Sequence, residues 1–474
     1  MAITVSTQLD LGDIQGDILF AYGNEYAFTS YLFVNLDGAD GRGWLSALVD
    51  RVTTARPWPK GSDGATDKPD TTLNLAFTAA GLTALGVSQE LLATFSSEFR
   101  GGMAARAAEL GDVGPSAPGN WEPGLGTGAA HVLATINAKS SDLLERELTA
   151  FREHAERCAT TIVNEQHAQL LDAQREHFGF SDGFGQPAIE GVSEHKSVGG
   201  GVPQPDGRWR PLAPGEFILG YEDEDSRVDP EHRLPSAPAA PLGRGGTYMV
   251  YRKLYQDVAL WRETLREAAR DYEGGETKLA AKIVGRWPNG TPLVTSPHEE
   301  DPAFDPTQED SNDFRYLDND PDGSRCPLGA HIRRTNPRDA LGWEGLDEAG
   351  LLAFRHRIIR RGMPYGPPLA PDESVDDDDT DRGLVFVCFN ASISRQFEAI
   401  TLQWVNDGNS FHLGDDRDFL LADASASGKM TVQGHPPFFV APQRSFVTTK
   451  GGEYLFAPGM TALAALADAT ESGP

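Results

Sequence analysis

Short β-like runs alternate with amphipathic helical stretches along the whole chain, and this interleaving limits the available folds more than any other feature. Residues 31–36, 72–77 and 131–137 in the first half read as strands, as do 246–251, 357–360 and 384–389 in the second. Between them, residues 142–155 carry Leu144, Leu148, Phe151 and Ala155 at helical spacing, with Asp142 and Glu145 placed as a capping pair. Residues 257–270 and 394–405 read as helices in the same way. Continuous apolar strands of the kind buried in parallel sheets are scarce, so the pattern predicts an α+β fold built on antiparallel sheets. The 474 residues suffice for two or three packed cores at about 100–200 residues per domain. The loop-like stretch Gly-Gly-Gly-Val-Pro-Gln-Pro-Asp-Gly at 199–207 sets a boundary near 200–215, hence domains 1–210 and 211–474.

Charge narrows the choice of partners. Seventy acidic side chains against 41 basic ones give a formal net charge of −29, which opposes binding to nucleic acid or to an anionic membrane and favours cations. Cys158, Cys326 and Cys388 lie far apart without CxxC spacing, so no disulfide framework is implied. No window approaches the roughly 18 apolar residues of a membrane span. The first residues lack a basic or twin-arginine leader, and a soluble cytoplasmic protein is the expectation. Residues 115–127, 235–241 and 367–381, the last with four consecutive aspartates at 376–379, read as surface loops.

The residues able to do chemistry fall in three segments. Residues 178–187 read Phe-Gly-Phe-Ser-Asp-Gly-Phe-Gly-Gln-Pro, which sets Asp182 in a glycine-rich aromatic turn. Asp-Gly alone is an ordinary turn pair. Downstream, 326–338 reads Cys-Pro-Leu-Gly-Ala-His-Ile-Arg-Arg-Thr-Asn-Pro-Arg and 356–366 reads His-Arg-Ile-Ile-Arg-Arg-Gly-Met-Pro-Tyr-Gly. With 13–19, 215–221, 279–288, 383–389 and 447–456, these segments resemble the dye-decolorizing peroxidase family over nearly the whole chain.

The resemblance implies two ferredoxin-like domains, with haem b seated mainly in the C-terminal one and the Asp182 loop supplied by the N-terminal one. It further implies a peroxidase that uses hydrogen peroxide to oxidise dyes and phenolic or lignin-like donors in one-electron steps through a ferryl intermediate. His331 then corresponds to the axial ligand of the haem iron. Its second ring nitrogen needs a carboxylate or carbonyl; Asp418 is the choice, with Asp416 equally placed. Haem propionates favour arginine, and Arg333 and Arg338 are the candidates. Arg333 falls on the His331 side if the segment is extended, whereas Arg334 reads as a surface residue.

Asp182 corresponds to the acid–base residue that moves the peroxide proton, and Arg360 to the cation that stabilises the leaving oxygen. Arg355, Arg357 and Arg361 are expected at propionates, in structure or on the surface, and Gly362 leaves a two-residue catalytic pair. Leu384 and Phe386 alternate on one strand face, which by resemblance covers the same side of the pocket. Mn²⁺ is a further candidate donor; Glu263, Glu267 and Asp271 space acids four apart on one helical face, although such rows are commonly solvated surface. A haem carrier would need His331 but not Asp182 or Arg360.

Overall fold

Strand pairing resolves the interleaved pattern into two copies of one topology. The computed structural model describes residues 8–468 except 23–24, 61–65, 194–196, 205, 229–236, 342–352, 371–379 and 423–427. The first copy runs β1 (Phe28–Asn35), α1 (Gly41–Val49), β2 (Thr71–Phe77), β3 (Val132–Ala138), α2 (Ser141–Arg157) and β4 (Thr161–Gln169). The second runs β5 (Thr247–Gln256), α3 (Val258–Ala268), α4 (Gly275–Val284), α5 (His331–Thr335), β6 (Ile359–Arg360), β7 (Met363–Tyr365), β8 (Gly383–Asn390) and β9 (Val447–Ala457), followed by α6 (Met460–Ala467). The strand orders are β4-β1-β3-β2 and β9-β5-β8-β6, with β7 also on β8. Fourth, first, third, second is the antiparallel ferredoxin-like order, and it occurs in both halves. Phe77 opposite Phe456 joins them into one nine-stranded sheet.

Alternation along β1 shows why strands without long apolar runs are nevertheless buried. Leu32 and Val34 pack with Trp44, Leu48, Leu148 and Phe151 of the helices. Tyr31 and Phe33 point the other way, into a core shared with Tyr251, Val385, Val387 and Leu455 of the second half. The Phe33 and Tyr251 rings meet edge-on at 4.8 Å. Both faces of the sheet are therefore covered, one by helices and one by the opposite half.

Helix α2 is capped by Ser140, whose hydroxyl accepts from the Leu143 amide; Asp142, expected as the cap, sits within the first turn, where a carboxylate favours the helix dipole. Residues 394–405 are helical but wide, as π-helical turns Ser394–Glu398 and Ile400–Val405. The aspartates at 376–379 lie outside the described residues. Cys158, Cys326 and Cys388 are free thiols. Among the described residues, no helix is long and apolar enough to cross a membrane.

Register on the second sheet prepares the site. Leu384 stands opposite Leu254 and Phe386 opposite Arg252, and Arg360 stands opposite Cys388. Directly opposed residues share a face, so one sheet surface carries Arg252, Leu254, Leu384, Phe386 and Arg360 together.

Candidate active site

That surface is one wall of a cavity of about 370 Å³, to which His331, Asp182 and Arg360 all contribute although 178 positions separate the last two. The loop bearing Asp182 is held at several points. Glu176 accepts the amides of Phe178 and Phe180 at 2.8 and 3.0 Å and the side-chain amide of Gln256 at 2.7 Å. The Ser181 amide is tied to the Pro288 carbonyl at 2.9 Å. Gly183, at φ +96°, supplies a left-handed conformation that favours glycine, and its amide donates to Asp182 Oδ1 at 2.6 Å.

Arg360 Nη1 donates to Asp182 Oδ1 at 2.7 Å and Oδ2 at 3.1 Å. The Arg360 amide is fixed by Gln186 at 3.0 Å. Burial raises the Asp182 carboxyl, but the Arg360 guanidinium outweighs it and holds the group below the ordinary 3.8. The pair is an ionised carboxylate locked to a cation.

His331 opens α5 directly after the Pro-Leu-Gly-Ala turn, and its Nδ1 lies 2.8 Å from Asp418 Oδ2. Asp418 is fully buried, and its Oδ1 accepts the amides of Leu420 and Leu421, both at 3.0 Å. Burial lowers the His331 imidazole, but Asp418 more than compensates and its affinity for protons is raised. Asp416, the alternative partner, is taken by Lys429 at 2.6 Å and by the Thr431 hydroxyl.

Two arginine assignments require correction. Residues 331–335 form a helix and not an extended segment, so position 333 does not alternate back toward His331. Arg333 does not line the cavity; its guanidinium holds Asp320 Oδ2 at 3.0 Å and the Cys326 and Asp320 carbonyls at 2.8 and 2.9 Å. Arg334, expected at the surface, is fully buried and donates to the carbonyls of Trp404, Asp407 and Asp416, thereby strapping α5 to the segment that presents Asp418. Arg333→Ala is expected to cost about 3–5 kcal/mol, because buried Asp320 loses its cation. Thermal denaturation should record that loss with little change in the haem absorption spectrum.

Arg338 does line the cavity, stacked 3.7 Å over Phe314 and donating to the Asn312 and Phe314 carbonyls. Two further arginines join it. Burial, reinforced by Arg338, pushes Arg286 down to about 10 and Arg357 down to about 9. Arg286, inside the matched segment 279–288, was not singled out by sequence; Arg357 was left among several roles. Among the described residues none of the three is in an ion pair, and buried Arg357 Nη1 has no partner. Three crowded cations without an anion are suited to carboxylates. Leu384 and Phe386 line the same cavity, with Val284, Ile332 and Leu421 as further apolar wall. A flat apolar ring bearing two acids would fit this lining, with the His331 imidazole in the same cavity as a candidate nitrogen ligand, and haem b is such a group.

Arg355 pairs with Asp225 and Arg361 donates to the Asp17 and Ile18 carbonyls, both structural roles. The proposed manganese row is not assembled: Glu263, Glu267 and Asp271 are exposed, and among the described residues no group of three His, Cys, Asp or Glu could hold a metal ion. Glu263 and Glu267 lie on the solvated face of α3 opposite Trp261 and Leu265, and Asp271 lies in the turn beyond its end.

Residues 13–169 match the DyP dimeric alpha+beta barrel domain and residues 237–415 the Dyp-type peroxidase C-terminal domain. Dye-decolorizing peroxidase msp1 of Mycetinis scorodonius is 29% identical over 484 residues, spanning 97% of this chain and 88% of that protein. The structure of an ancestral D-type dye decolorizing peroxidase superposes with a TM-score of 0.80 at 28% identity, covering 98% of this chain and all of that one. A dye-decolorizing peroxidase in complex with 2,6-dimethoxyphenol superposes at 0.78 with 26% identity, over 97% of this chain and 100% of that one. Matched by both domains of the family and by relatives along nearly its whole length, the chain belongs to the dye-decolorizing peroxidases, which are haem-dependent oxidoreductases.

Proposed function

We infer that Asp182 and Arg360 are the residues that activate hydrogen peroxide, that His331 holds the haem iron, and that phenolic and dye-like donors are oxidised one electron at a time. The observation that carries this reading is the Asp182–Arg360 ion pair in the same cavity as His331. A haem carrier would have no use for it.

Haem, when bound, would supply the redox centre that stores the two oxidising equivalents of peroxide. His331 would hold it through Nε2, since Nδ1 is committed to Asp418; Arg286, Arg338 and Arg357 would hold its acids. Asp182 takes a proton from one oxygen of the peroxide and returns it to the other, so that water leaves. Arg360 donates to the leaving oxygen as negative charge grows there, and being fixed beforehand it loses little in reorganisation. Leu384 and Phe386 form part of the apolar wall of the same cavity as the pair. Oxidation of Mn²⁺ lacks comparable support, and the donors inferred are organic.

Asp182 acts as a base only when ionised, and its carboxyl is held below 3.8. The rate constant for reaction with peroxide should therefore be flat from neutrality down to about pH 4 and decline only below the ordinary carboxylate range. Stopped-flow absorbance of the haem-loaded protein mixed with peroxide tests this, with Asp182→Asn alongside. An Asp182→Asn enzyme that reacts as fast as wild type would refute the assignment.

A further inference from the structure

Aromatic contact continues outward from the cavity wall at Phe386. Phe397, in the π-helical turn Ser394–Glu398, lines the same cavity with its ring centroid 6.2 Å from that of Phe386. Tyr454 of β9 comes next, its ring 6.1 Å from that of Phe397 and edge-on to it at 78°. Register places it there: Tyr454 stands opposite Val250 and Gly452 opposite Arg252, so Tyr454 faces the same side of the sheet as Arg252 and Phe386. A tyrosine therefore sits one ring behind the cavity wall.

Tyr454 is 1% exposed, and its hydroxyl donates to Glu398 Oε1 at 2.9 Å. Glu398 is equally buried, and the Arg106 guanidinium holds both its oxygens, Nη2 meeting Oε2 at 2.8 Å. Arg106 also holds a second carboxylate, Glu109, at 2.6 Å. Burial and the neighbouring Glu398 push the Tyr454 phenol well above the ordinary tyrosine range, so the resting group is protonated. Taking an electron from a phenol turns its O–H into a strong acid, and a buried tyrosine can be oxidised readily only with a base already in hydrogen-bond contact. Glu398 is that base. When it takes the proton, Arg106 keeps Glu109 as its counter-ion.

Two other buried tyrosines are less suited. Tyr316 lines the cavity, but the Arg333 guanidinium lies 4.4 Å over its ring, and a cation there opposes removal of an electron. Tyr365 donates to Asp381 at 3.2 Å, but the Lys253 ammonium lies 4.6 Å over its ring, which packs in the core on the other face of the sheet.

We propose that Tyr454 is a redox site of this enzyme, which takes up one of the two oxidising equivalents of hydrogen peroxide as a neutral tyrosyl radical whose proton rests on Glu398. This deepens the peroxidase reading and rests on it. One electron passes from Tyr454, by way of Phe397 and Phe386, to the centre that peroxide has oxidised. The phenol O–H bond breaks, the proton passes to the Glu398 carboxylate, and the other oxidising equivalent stays at the centre. An electron from a donor reverses the step, and Glu398 returns the proton. The buried site thus holds one equivalent inside the protein until a donor reaches the cavity.

The test is electron paramagnetic resonance of the haem-loaded protein, frozen after mixing with one equivalent of hydrogen peroxide and no donor. Wild type is expected to give a tyrosyl signal that narrows when the protein is made with ring-deuterated tyrosine. Tyr454→Phe, which removes one buried hydroxyl and leaves Glu398 on Arg106, is expected to lose that signal, whereas Tyr365→Phe should keep it. A second preparation needs no peroxide: zinc protoporphyrin seated in the cavity is oxidised by light with ruthenium hexaammine(III) as electron acceptor. A tyrosyl signal that survives Tyr454→Phe, or no tyrosyl signal from wild type in either preparation, would overturn the proposal. A Tyr454-dependent signal after light with none after peroxide would sustain it and defeat instead the reading of Asp182 and Arg360.

Discussion

Arg360→Leu is expected to slow the reaction with hydrogen peroxide by about 10²–10³-fold, the usual loss when a preorganised charge-stabilising donor is removed. The substitution acts twice. It deletes the cation that meets charge on the leaving oxygen, and it releases Asp182 from the contacts at 2.7 and 3.1 Å. Burial is the largest single influence on Asp182 and raises its carboxyl; Arg360 is what brings it below 3.8. Without Arg360 the protonated acid therefore persists to higher pH, so the acid limb of the rate profile should move upward as the plateau falls. Stopped-flow rate constants across pH test both effects, with a haem titration as control, since Arg286, Arg338 and Arg357 remain in place. A plateau reduced less than about fivefold would mean that Arg360 does not stabilise the leaving oxygen, and an acid limb that does not move would mean that it does not hold the Asp182 carboxyl down.

The fold was legible because its units are local. Strand and helix periodicity located β1, β2, β3, β5 and β8 and helices α2 and α3 within a few residues, and the scarcity of buried parallel-type strands pointed to antiparallel sheets. The polar strand β4, Thr-Ile-Val-Asn-Glu-Gln-His-Ala-Gln, is an edge strand with only Ala168 fully buried, so it lacks the apolar signal of a core strand. The duplication was not legible either, since the two 4-1-3-2 orders share topology and not sequence. At the site, motif spacing pointed to Asp182, His331 and Arg360, and the structure brings all three to one cavity. The arginines were harder. Whether position 333 faces the cavity depends on a period of 2 or 3.6, and five residues do not decide it. Arg334 is buried because carbonyls some 70 or more positions away receive it, and Arg286 and Arg357 join Arg338 only through tertiary packing.

The two substitutions of Asp418 should separate support of the fold from control of the ligand. Asp418 has two tasks: Oδ2 receives His331 Nδ1, and Oδ1 receives the Leu420 and Leu421 amides. Asp418→Ala leaves three donors unpaired around a fully buried position and is expected to cost about 3–5 kcal/mol, in the range for breaking one side of a buried polar pair. Asp418→Asn is different. Its carbonyl can still accept the two amides, but its NH₂ then faces His331 Nδ1, which must become an acceptor. The imidazole proton moves to Nε2, the nitrogen required for iron. The Asn protein should therefore melt close to wild type yet bind haem about 10–100-fold more weakly, as when a ligand's supporting carboxylate is lost. Thermal melting and haem titration on the two variants make the comparison. If Asn binds haem like wild type while Ala does not, Asp418 supports only the Leu420–Leu421 turn and the tautomer of His331 is set by something else; if both weaken binding but only Ala lowers the melting temperature, the carboxylate itself orients the ligand.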